Sequence, residues 1–259
     1  MKLEILMSCM HQTDFSLVDK SNIQSSVLMV NQADKLEDAH LGLARMVTTT
    51  ERGASKSRNL ALREAKEEIC LFADDDERFI DGLEEKILAV YRELPEADVI
   101  IFDLINYKTG QMGTEKRKLN RLDALRIGTP RVSFRRLSVV GRVAFDELLG
   151  PGTPTKSSED IKFVLDCFDA GLQVYFYPLA IAELLEGESS WFSGYTPEFF
   201  FNRGRVNRYT LGLPLGTIYG LYWLVAKRKQ YGQEMGFYRA LGYWLKGWAK
   251  ADLRKEFHA

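Results

Sequence analysis

Cysteine and histidine are scarce in this chain of 259 residues, which contains three of each. The cysteines, Cys9, Cys70 and Cys167, are far apart and each lies inside an apolar stretch. An odd number of isolated cysteines is typical of reduced thiols in a core and argues against a disulfide framework or a structural zinc site. We therefore expect a protein of a reducing compartment, the cytoplasm.

The sequence also has little that would place it outside the ordinary globular proteins. The apolar run at Lys2 to Met7 is too short for a secretory leader and has no small-residue cleavage site, so we interpret it as a first strand. Hydrophobic residues make up 46% and charged residues 27% of the chain, which argues against disordered and fibrous classes. The length suits one α/β domain with an appendage.

Charge is nearly balanced overall but unevenly distributed. The formal net charge is −1, yet residues 203 to 256 contain eleven Lys or Arg and three acidic residues, a local charge of +8 that leaves −9 for the rest. A basic terminal arm of this kind indicates an anionic partner, either a membrane surface or a nucleic acid.

Strand and helix patterns alternate over the first 105 residues. Strands are predicted at 3–10, 26–31, 45–49, 69–73 and 98–105, and helices at about 14–21, 54–66 and 83–94. This alternation predicts a parallel, doubly wound sheet.

The second half of the chain departs from this repeat. Periodicity fades over 108–152, where Gly, Pro and Arg are frequent, as in loops that carry recognition. A helix is predicted from Ser157, with Asp160 completing an arrangement like a capping box, to Gly171. A last strand is predicted at 172–177, closed by Pro178.

Three acidic residues, Asp74, Asp75 and Asp76, follow the apolar strand 69–73. Neighbouring like charges repel by about 1 kcal/mol at ~4 Å even in water. A divalent cation would remove this penalty, and Mg²⁺ or Mn²⁺ prefers carboxylate oxygens combined with substrate phosphates. The structural alternative is a turn, where Asp is frequent. Because open α/β sheets bind ligands at the carboxyl ends of their strands, we favour a nucleotide-diphosphate site.

A cationic helix start precedes that strand. Gly53 and Ser55 allow close approach of the backbone to an anion, and Arg52, Lys56 and Arg58 add charge. Helix N-termini attract anions, so phosphate binding is the functional interpretation. The alternative is a solvated basic first turn, although basic residues there oppose the helix dipole.

A second acidic pair, Glu159 and Asp160, lies at the predicted start of the later helix. Acids in a first helical turn gain about 0.3–1 kcal/mol from the dipole, which is the structural explanation. The preceding turn 146–150 and loop 152–158 would instead present a carboxylate to a cleft as a general base.

Together these segments resemble the inverting family 2 glycosyltransferases of GT-A fold, especially those of bacterial capsule and exopolysaccharide synthesis. The resemblance spans about 3–204 and is most specific over 52–76 and 145–171. It implies an α/β fold of GT-A type, a Rossmann-like mostly parallel sheet flanked by helices. The implied catalytic domain is 1–200, followed by a basic, aromatic-rich helical arm at 201–259.

The resemblance also implies roles for individual residues. Asp160 of the Glu159–Asp160 pair would be the catalytic base, and Asp76 and Asp74 would bind Mn²⁺ or Mg²⁺. Residues 145–147 match the segment that shapes the acceptor side. The implied nucleotide-sugar contacts are Ser8, Asn31, Arg52, Ser55, Arg58, Asp74 and Asp75.

Departures from the family pattern occur in three places. The first strand ends in Met7-Ser8-Cys9 where the family has Pro-Thr-Tyr-Asn, and Asn31-Gln32-Ala33-Asp34 replaces an acidic Asp-Gly-Ser turn. The downstream His near the metal is missing, since the histidines are His11, His40 and His258. Glu183, Glu186 or Glu188 occupies that neighbourhood, which leaves a third protein ligand open.

The C-terminal arm has two apolar segments. Residues 209–226 carry no charge for eighteen residues, which only just reaches the length of a membrane span. Pro214 and the tyrosines weaken that interpretation. Residues 235–248 have one apolar helical face with basic residues elsewhere, as in a helix lying in a membrane interface. Packing on the core or in a homodimer is the alternative. Nucleic acid is disfavoured because the aromatics alternate with Leu and Gly.

The sequence therefore predicts a cytoplasmic enzyme, peripheral at the inner face of the cell membrane. It would transfer a hexose from a nucleotide sugar, expected to be UDP-linked, to a glycan or polyprenyl-linked saccharide acceptor. Two alternatives are a nucleotidyltransferase, which also uses an acidic metal site, and a non-catalytic glycan-binding or scaffolding relative.

Overall fold

The computed structural model describes residues 1–105, 112–185, 192 and 194–253. These residues form a ten-stranded sheet. The strands are β1 (Leu3–Met10), β2 (Ser26–Gln32), β3 (Ala39–Leu41), β4 (Ala44–Thr49), β5 (Ile69–Asp74), β6 (Glu77–Phe79), β7 (Val99–Ile105), β8 (Arg117–Lys118), β9 (Val132–Arg135) and β10 (Val174–Leu184). The helices are α1 (Ser16–Lys20), α2 (Ala54–Glu64), α3 (Leu83–Glu93), α4 (Arg136–Val139), α5 (Glu159–Asp169), α6 (Pro197–Leu211), α7 (Leu213–Ala226), α8 (Arg228–Tyr231) and α9 (Phe237–Ala249), with short 3₁₀ turns at Asp123–Arg126 and Thr129–Arg131.

The sheet is mixed, with its long strand pairs parallel. The strand order is β3-β4-β2-β1-β5-β9-β7-β10-β6, and β8 pairs with β10. β4, β2, β1 and β5 run parallel to one another, as do β7 and β10. β1, β2, β5 and β7 are apolar runs whose side chains are almost all buried, which is the signature of strands covered on both faces. The predicted fold class is confirmed.

Two features of the second half differ from the prediction. The loop-like region after residue 108 contributes β9, which pairs antiparallel with both β5 and β7. At four residues it is too short to produce a readable period. The last strand does not close at Pro178 but runs to Leu184, with register shifts between Phe176 and Ala182. A proline has no N–H to donate, and it is tolerated here because the ladder is already irregular.

The chain forms two compact units, residues 1–145 with 160–187 and residues 146–159 with 188–259. The first contains the sheet, and its core is built from the buried residues of β1, β2, β5, β7 and α3. The sequence predicts a different division, a catalytic domain at 1–200 and a helical arm at 201–259. Because that division is defined by which part carries catalysis, it stays a prediction.

The second unit is a group of helices in close contact. An added Cβ at Gly247 would lie 1.8 Å from the Phe201 carbonyl oxygen, and one at Gly204 would lie 2.0 Å from that of Trp244. Only glycine permits α6 and α9 to approach so closely. The uncharged segment 209–226 is not one helix, because Gly212, with φ +74°, separates α6 from α7. Within the described ranges, no helix combines the length and apolar character that crossing a bilayer requires.

Candidate active site

The N-terminus of α2 lies beside the carboxyl ends of β1 and β2. Gly53 has φ +122° and donates its N–H to Gln32 Oε1 at 2.7 Å, which fixes where α2 begins. The helix buries a polar face, Ser55, Ser57, Arg58 and Asn59. Burying polar groups is unfavourable unless they are hydrogen-bonded, so these side chains point to a built site. Asn59 meets this condition, with both amide atoms bonded to the backbone of Phe145 at 2.7 and 2.9 Å.

Arg58 joins two acids that are distant in sequence. Its Nη2 lies 2.9 Å from Asp74 Oδ1, and its Nη1 lies 3.5 Å from Asp160 Oδ1. Its side chain is 6% exposed, against 35% for Asp74 and 27% for Asp160. A largely buried cation thus holds two carboxylates that remain accessible to a ligand.

Asp160 lies in the first turn of α5. It accepts a hydrogen bond from the Thr129 hydroxyl, and that hydroxyl is itself buried. Desolvation raises the pKa of Asp160 above its ordinary value, while Arg58 and the bond from Thr129 act in the opposite direction. A carboxylate that is 27% exposed and has a raised pKa is suited to accept a proton.

Asp75 and Asp76 lie in the exposed turn between β5 and β6. Partial desolvation raises the pKa of each, and the neighbouring acids of the triplet raise it further. The repulsion expected from the sequence is therefore present. Leu185 donates its backbone N–H to the Asp76 carbonyl at 2.7 Å, which fixes the chain after β10 next to this turn.

Glu77 follows the triplet and is fully buried. Neither of its carboxylate oxygens has a hydrogen-bond partner among the described residues. Desolvation raises the pKa of Glu77 well above its ordinary value, and the nearby Asp74 and Asp76 raise it further.

Ser8 is positioned beside the acid triplet and α2. It pairs in register with Asp74 across the β1–β5 ladder, and its hydroxyl accepts a hydrogen bond from Ser57 at 2.9 Å. Ser55 is buried in the first turn of α2. The structure thus brings Ser8, Ser55, Arg58, Asp74 and Asp160 into one region.

Asn31 and Arg52 hold loops at the same edge. Asn31 accepts a hydrogen bond from the Gln12 N–H at 2.9 Å and donates to the Gln12 carbonyl at 2.8 Å. Arg52 lies 2.5 Å from Asp34 and donates to the carbonyls of residues 33, 49 and 50. Their roles as nucleotide contacts remain predictions.

Glu159 is placed differently from its neighbour Asp160. It is 5% exposed and packs against Gly150, where an added Cβ would lie 2.8 Å from the Glu159 Cδ atom. With φ +95°, Gly150 is also in a conformation that other residues rarely adopt. Glu159 thus shapes the loop before α5, and its catalytic role stays a prediction.

A divalent metal is compatible with the donor atoms present. Asp74 and Asp76 offer hard oxygen ligands, the type that Mg²⁺ and Mn²⁺ prefer. No group of three His, Cys, Asp or Glu side chains converges on a metal position within the described ranges. A metal would then be completed by substrate phosphate oxygens, as is common for these ions. Of the candidates for a third ligand, Glu183 lies in β10 opposite Arg78, and Glu186 and Glu188 lie outside the described residues.

Sequence reasoning missed Thr129 and the residues that position it. Arg131 is fully buried, donates to the Phe102 carbonyl and lies 2.7 Å from Asp103. These bonds anchor the short turn that carries Thr129. The dipeptide Thr129-Pro130 is a turn signal, but nothing local in it indicates a contact with Asp160, thirty-one positions away.

The chain was compared with protein families and with known proteins. The model for "Glycosyl transferase family 2" matches residues 19–144. The resemblance to the family 2 glycosyltransferases is therefore confirmed. No curated protein matches the chain.

Solved structures of S. aureus TarS share the fold. Residues 1–349 of TarS in complex with UDP-GlcNAc align with a TM-score of 0.62 at 15% identity, over 95% of this chain and 81% of that one. The same fragment with UDP gives 0.59 at 15% identity over the same shares. A longer TarS structure gives 0.55 at 16% identity and covers 85% of this chain, which spans only 41% of that chain. Likeness at this identity establishes the GT-A fold.

Proposed function

We propose that this protein is an inverting glycosyltransferase that moves a sugar from a UDP-linked donor to a lipid-linked or oligosaccharide acceptor. The observation that carries the proposal is the link that Arg58 makes between Asp74, at the end of β5, and Asp160, at the start of α5. The UDP and UDP-GlcNAc complexes of TarS support a nucleotide-sugar donor of this kind. Capsule or exopolysaccharide synthesis is the setting that we infer.

The donor would be held at the carboxyl ends of β1, β2 and β5. Asp75 would contact the ribose, and the N-terminus of α2 with Arg58 would face the diphosphate. A Mn²⁺ or Mg²⁺ ion held by Asp76 and Asp74 would supply further positive charge against the departing diphosphate.

The transfer would be a single displacement. Asp160 accepts the proton of an acceptor hydroxyl, whose oxygen attacks the anomeric carbon of the sugar. The bond between that carbon and the diphosphate oxygen breaks, and UDP leaves with the electron pair, so the configuration inverts. Thr129 and Arg58 hold the Asp160 carboxylate in one orientation for this step.

The C-terminal arm would bring the enzyme to its acceptor by binding the inner membrane surface. Four residues of α7 share an exposed apolar face: Ile218, Leu221, Tyr222 and Val225. The opposite face of α7, with Gly216, Gly220 and Leu224, is buried. The basic residues 227–229 follow directly, which complements an anionic lipid surface. The alternative is that this face of α7 contacts a second copy of the chain in a homodimer. A vesicle-binding assay would distinguish the two.

Mixing the protein with Mn²⁺ and a panel of labelled UDP-sugars and soluble acceptors tests the activity. Release of UDP, with the label recovered in the acceptor, supports glycosyl transfer. Release of pyrophosphate would identify a nucleotidyltransferase, and donor binding without turnover would identify a non-catalytic relative. Either of the latter two results would overturn the proposal.

A further inference from the structure

Arg203 in α6 has no carboxylate partner among the described residues, although it is largely enclosed. Its guanidinium carbon lies 3.7 Å from the centroid of the Trp223 ring and 5.9 Å from that of Phe199. Its Nε atom is buried and has no hydrogen-bond partner in the described part of the chain. Stacking on aromatic rings stabilises an arginine but satisfies none of its N–H groups. The Tyr219 hydroxyl accepts a hydrogen bond from the guanidinium.

Burial lowers the pKa of Arg203 from its ordinary value to about 10, with partial compensation from the Tyr219 and Tyr195 hydroxyls. At neutral pH the side chain is still a cation. An enclosed cation without a counter-ion is costly, and an anion placed against it removes part of that cost.

Arg203 lines a pocket of about 60 Å³ within the second unit. The loop before α5 and the start of α6 supply the other polar groups of this pocket: Thr155, Lys156, Ser157, Thr196 and Asn202. Thr196 accepts the Phe199 N–H at 3.2 Å through its side chain, which leaves its own O–H to donate. The N-terminus of this fifteen-residue helix adds a partial positive charge.

Glu198 is the acid on the pocket wall. Its carboxylate lies 3.4 Å from Lys156 Nζ, and the two side chains are 63% and 46% exposed. An exposed pair of this kind is held weakly, so an anion that enters the pocket competes with Glu198 for Lys156.

We propose that this pocket binds a phosphate group, with Arg203 and Lys156 as its cationic contacts. The pocket has room for a small oxyanion. In a glycosyltransferase that acts on cell-surface glycan precursors, such a group would belong to the acceptor. The assignment of the phosphate group to the acceptor rests on the proposed function. The binding of phosphate in the pocket does not. The group is a phosphomonoester, a phosphodiester or a lipid-linked diphosphate.

Calorimetric titration of the full chain with three soluble probes tests the proposal: glycerol 3-phosphate, dimethyl phosphate and methyl diphosphate. We expect saturable binding of at least one probe, and the tightest probe identifies the source. Arg203→Gln should weaken that binding at least tenfold and Lys156→Gln severalfold. Glu198→Gln should tighten it, because it removes the competing carboxylate.

Circular dichroism and UDP affinity control for folding, and neither should change in the exposed-site variants Lys156→Gln and Glu198→Gln. No saturable binding of any probe would overturn the proposal. Probe affinities that do not change in Lys156→Gln and Glu198→Gln would also overturn it. So would binding of acetate or chloride as tight as that of the phosphate probes. If phosphate binding responds to the substitutions as expected but the protein transfers no sugar, the pocket is supported and only the proposed function is overturned.

Discussion

The guanidinium of Arg58 lies 3.5 Å from the carboxylate of Asp160, and its second nitrogen lies 2.9 Å from that of Asp74. α2, α5 and β5 contribute one of these residues each, so a single buried side chain sets the spacing between two acids of different predicted roles. In the proposed reaction, Asp74 would lie on the donor side and Asp160 on the side of the attacking hydroxyl. Variants of the two acid groups should therefore separate binding from transfer.

Asp76→Asn should weaken Mn²⁺-dependent binding of UDP by about tenfold or more, because one charged oxygen ligand is lost. Calorimetric titration of UDP with and without Mn²⁺ measures this. Asp19→Asn, a change at an exposed acid of α1, is the matched control and should bind like the parent. An unchanged titration for Asp76→Asn would remove Asp76 as a ligand.

Thr129→Val should move the acid limb of the pH–rate profile to higher pH. The hydroxyl of Thr129 lowers the pKa of Asp160, so its loss raises that pKa further. Because a base must be deprotonated, activity is lost as pH falls through the pKa, and a higher pKa places this loss at higher pH. Initial rates measured from about pH 4 to about pH 8, in steps of about half a pH unit, would locate the acid limb of the profile.

Thr129→Ser keeps the hydroxyl and should keep the parent profile. If the acid limbs of Thr129→Val and Thr129→Ser fall at the same pH, the hydrogen bond from Thr129 does not set the pKa of the proton acceptor.

Gly247→Ala should destabilise the C-terminal unit by about 1–3 kcal/mol, the usual range for overpacking. The new methyl group would meet the Phe201 carbonyl oxygen at 1.8 Å. Thermal unfolding followed by circular dichroism measures the loss.

Gly242→Ala is the control in the same helix. Among the described residues, no atom lies within 4 Å of its added Cβ, so the better helix propensity should leave stability equal or higher by about 1 kcal/mol. Equal destabilisation by both changes would contradict the close approach of α6 and α9.

The double variant Ile218→Ser with Val225→Ser should lower binding to vesicles that contain anionic lipid severalfold, because the exposed face of α7 loses apolar area. The two side chains are 67% and 64% exposed. Flotation with neutral and with anionic vesicles measures the bound fraction.

Leu41→Ser with Leu43→Ser is the matched control, since these leucines of the first unit are each 64% exposed. It should leave vesicle binding unchanged. If the α7 variant instead changes the sedimentation coefficient and not vesicle binding, its face contacts a second copy of the chain.

The sequence predicted those parts of the structure that depend on local pattern. β1, β2 and β5 are largely apolar runs, and their parallel arrangement follows from the helices between them. Asp74 could be placed at a strand end because the apolar run of β5 stops there.

Long-range contacts were not accessible in the same way. Arg58 was expected to face the nucleotide, and only the folded chain brings it to Asp160, over a hundred residues later. Thr129 lies in a turn whose position depends on the buried Arg131, and a single sequence gives no pattern for that pairing. The strand β10 was predicted too short because Pro178 is a strong local stop signal that the bulge around it accommodates.

The most direct test of the account is a paired measurement on Asp160→Asn: UDP affinity by calorimetry, and sugar transfer with the donor that the panel identifies. Asparagine keeps the size of the side chain but removes the proton acceptor, so we predict UDP affinity close to that of the parent and a loss of transfer of about 100-fold or more. Transfer at the parental rate, or a loss of UDP affinity that accounts for the whole defect, would contradict the assignment of Asp160 as the base.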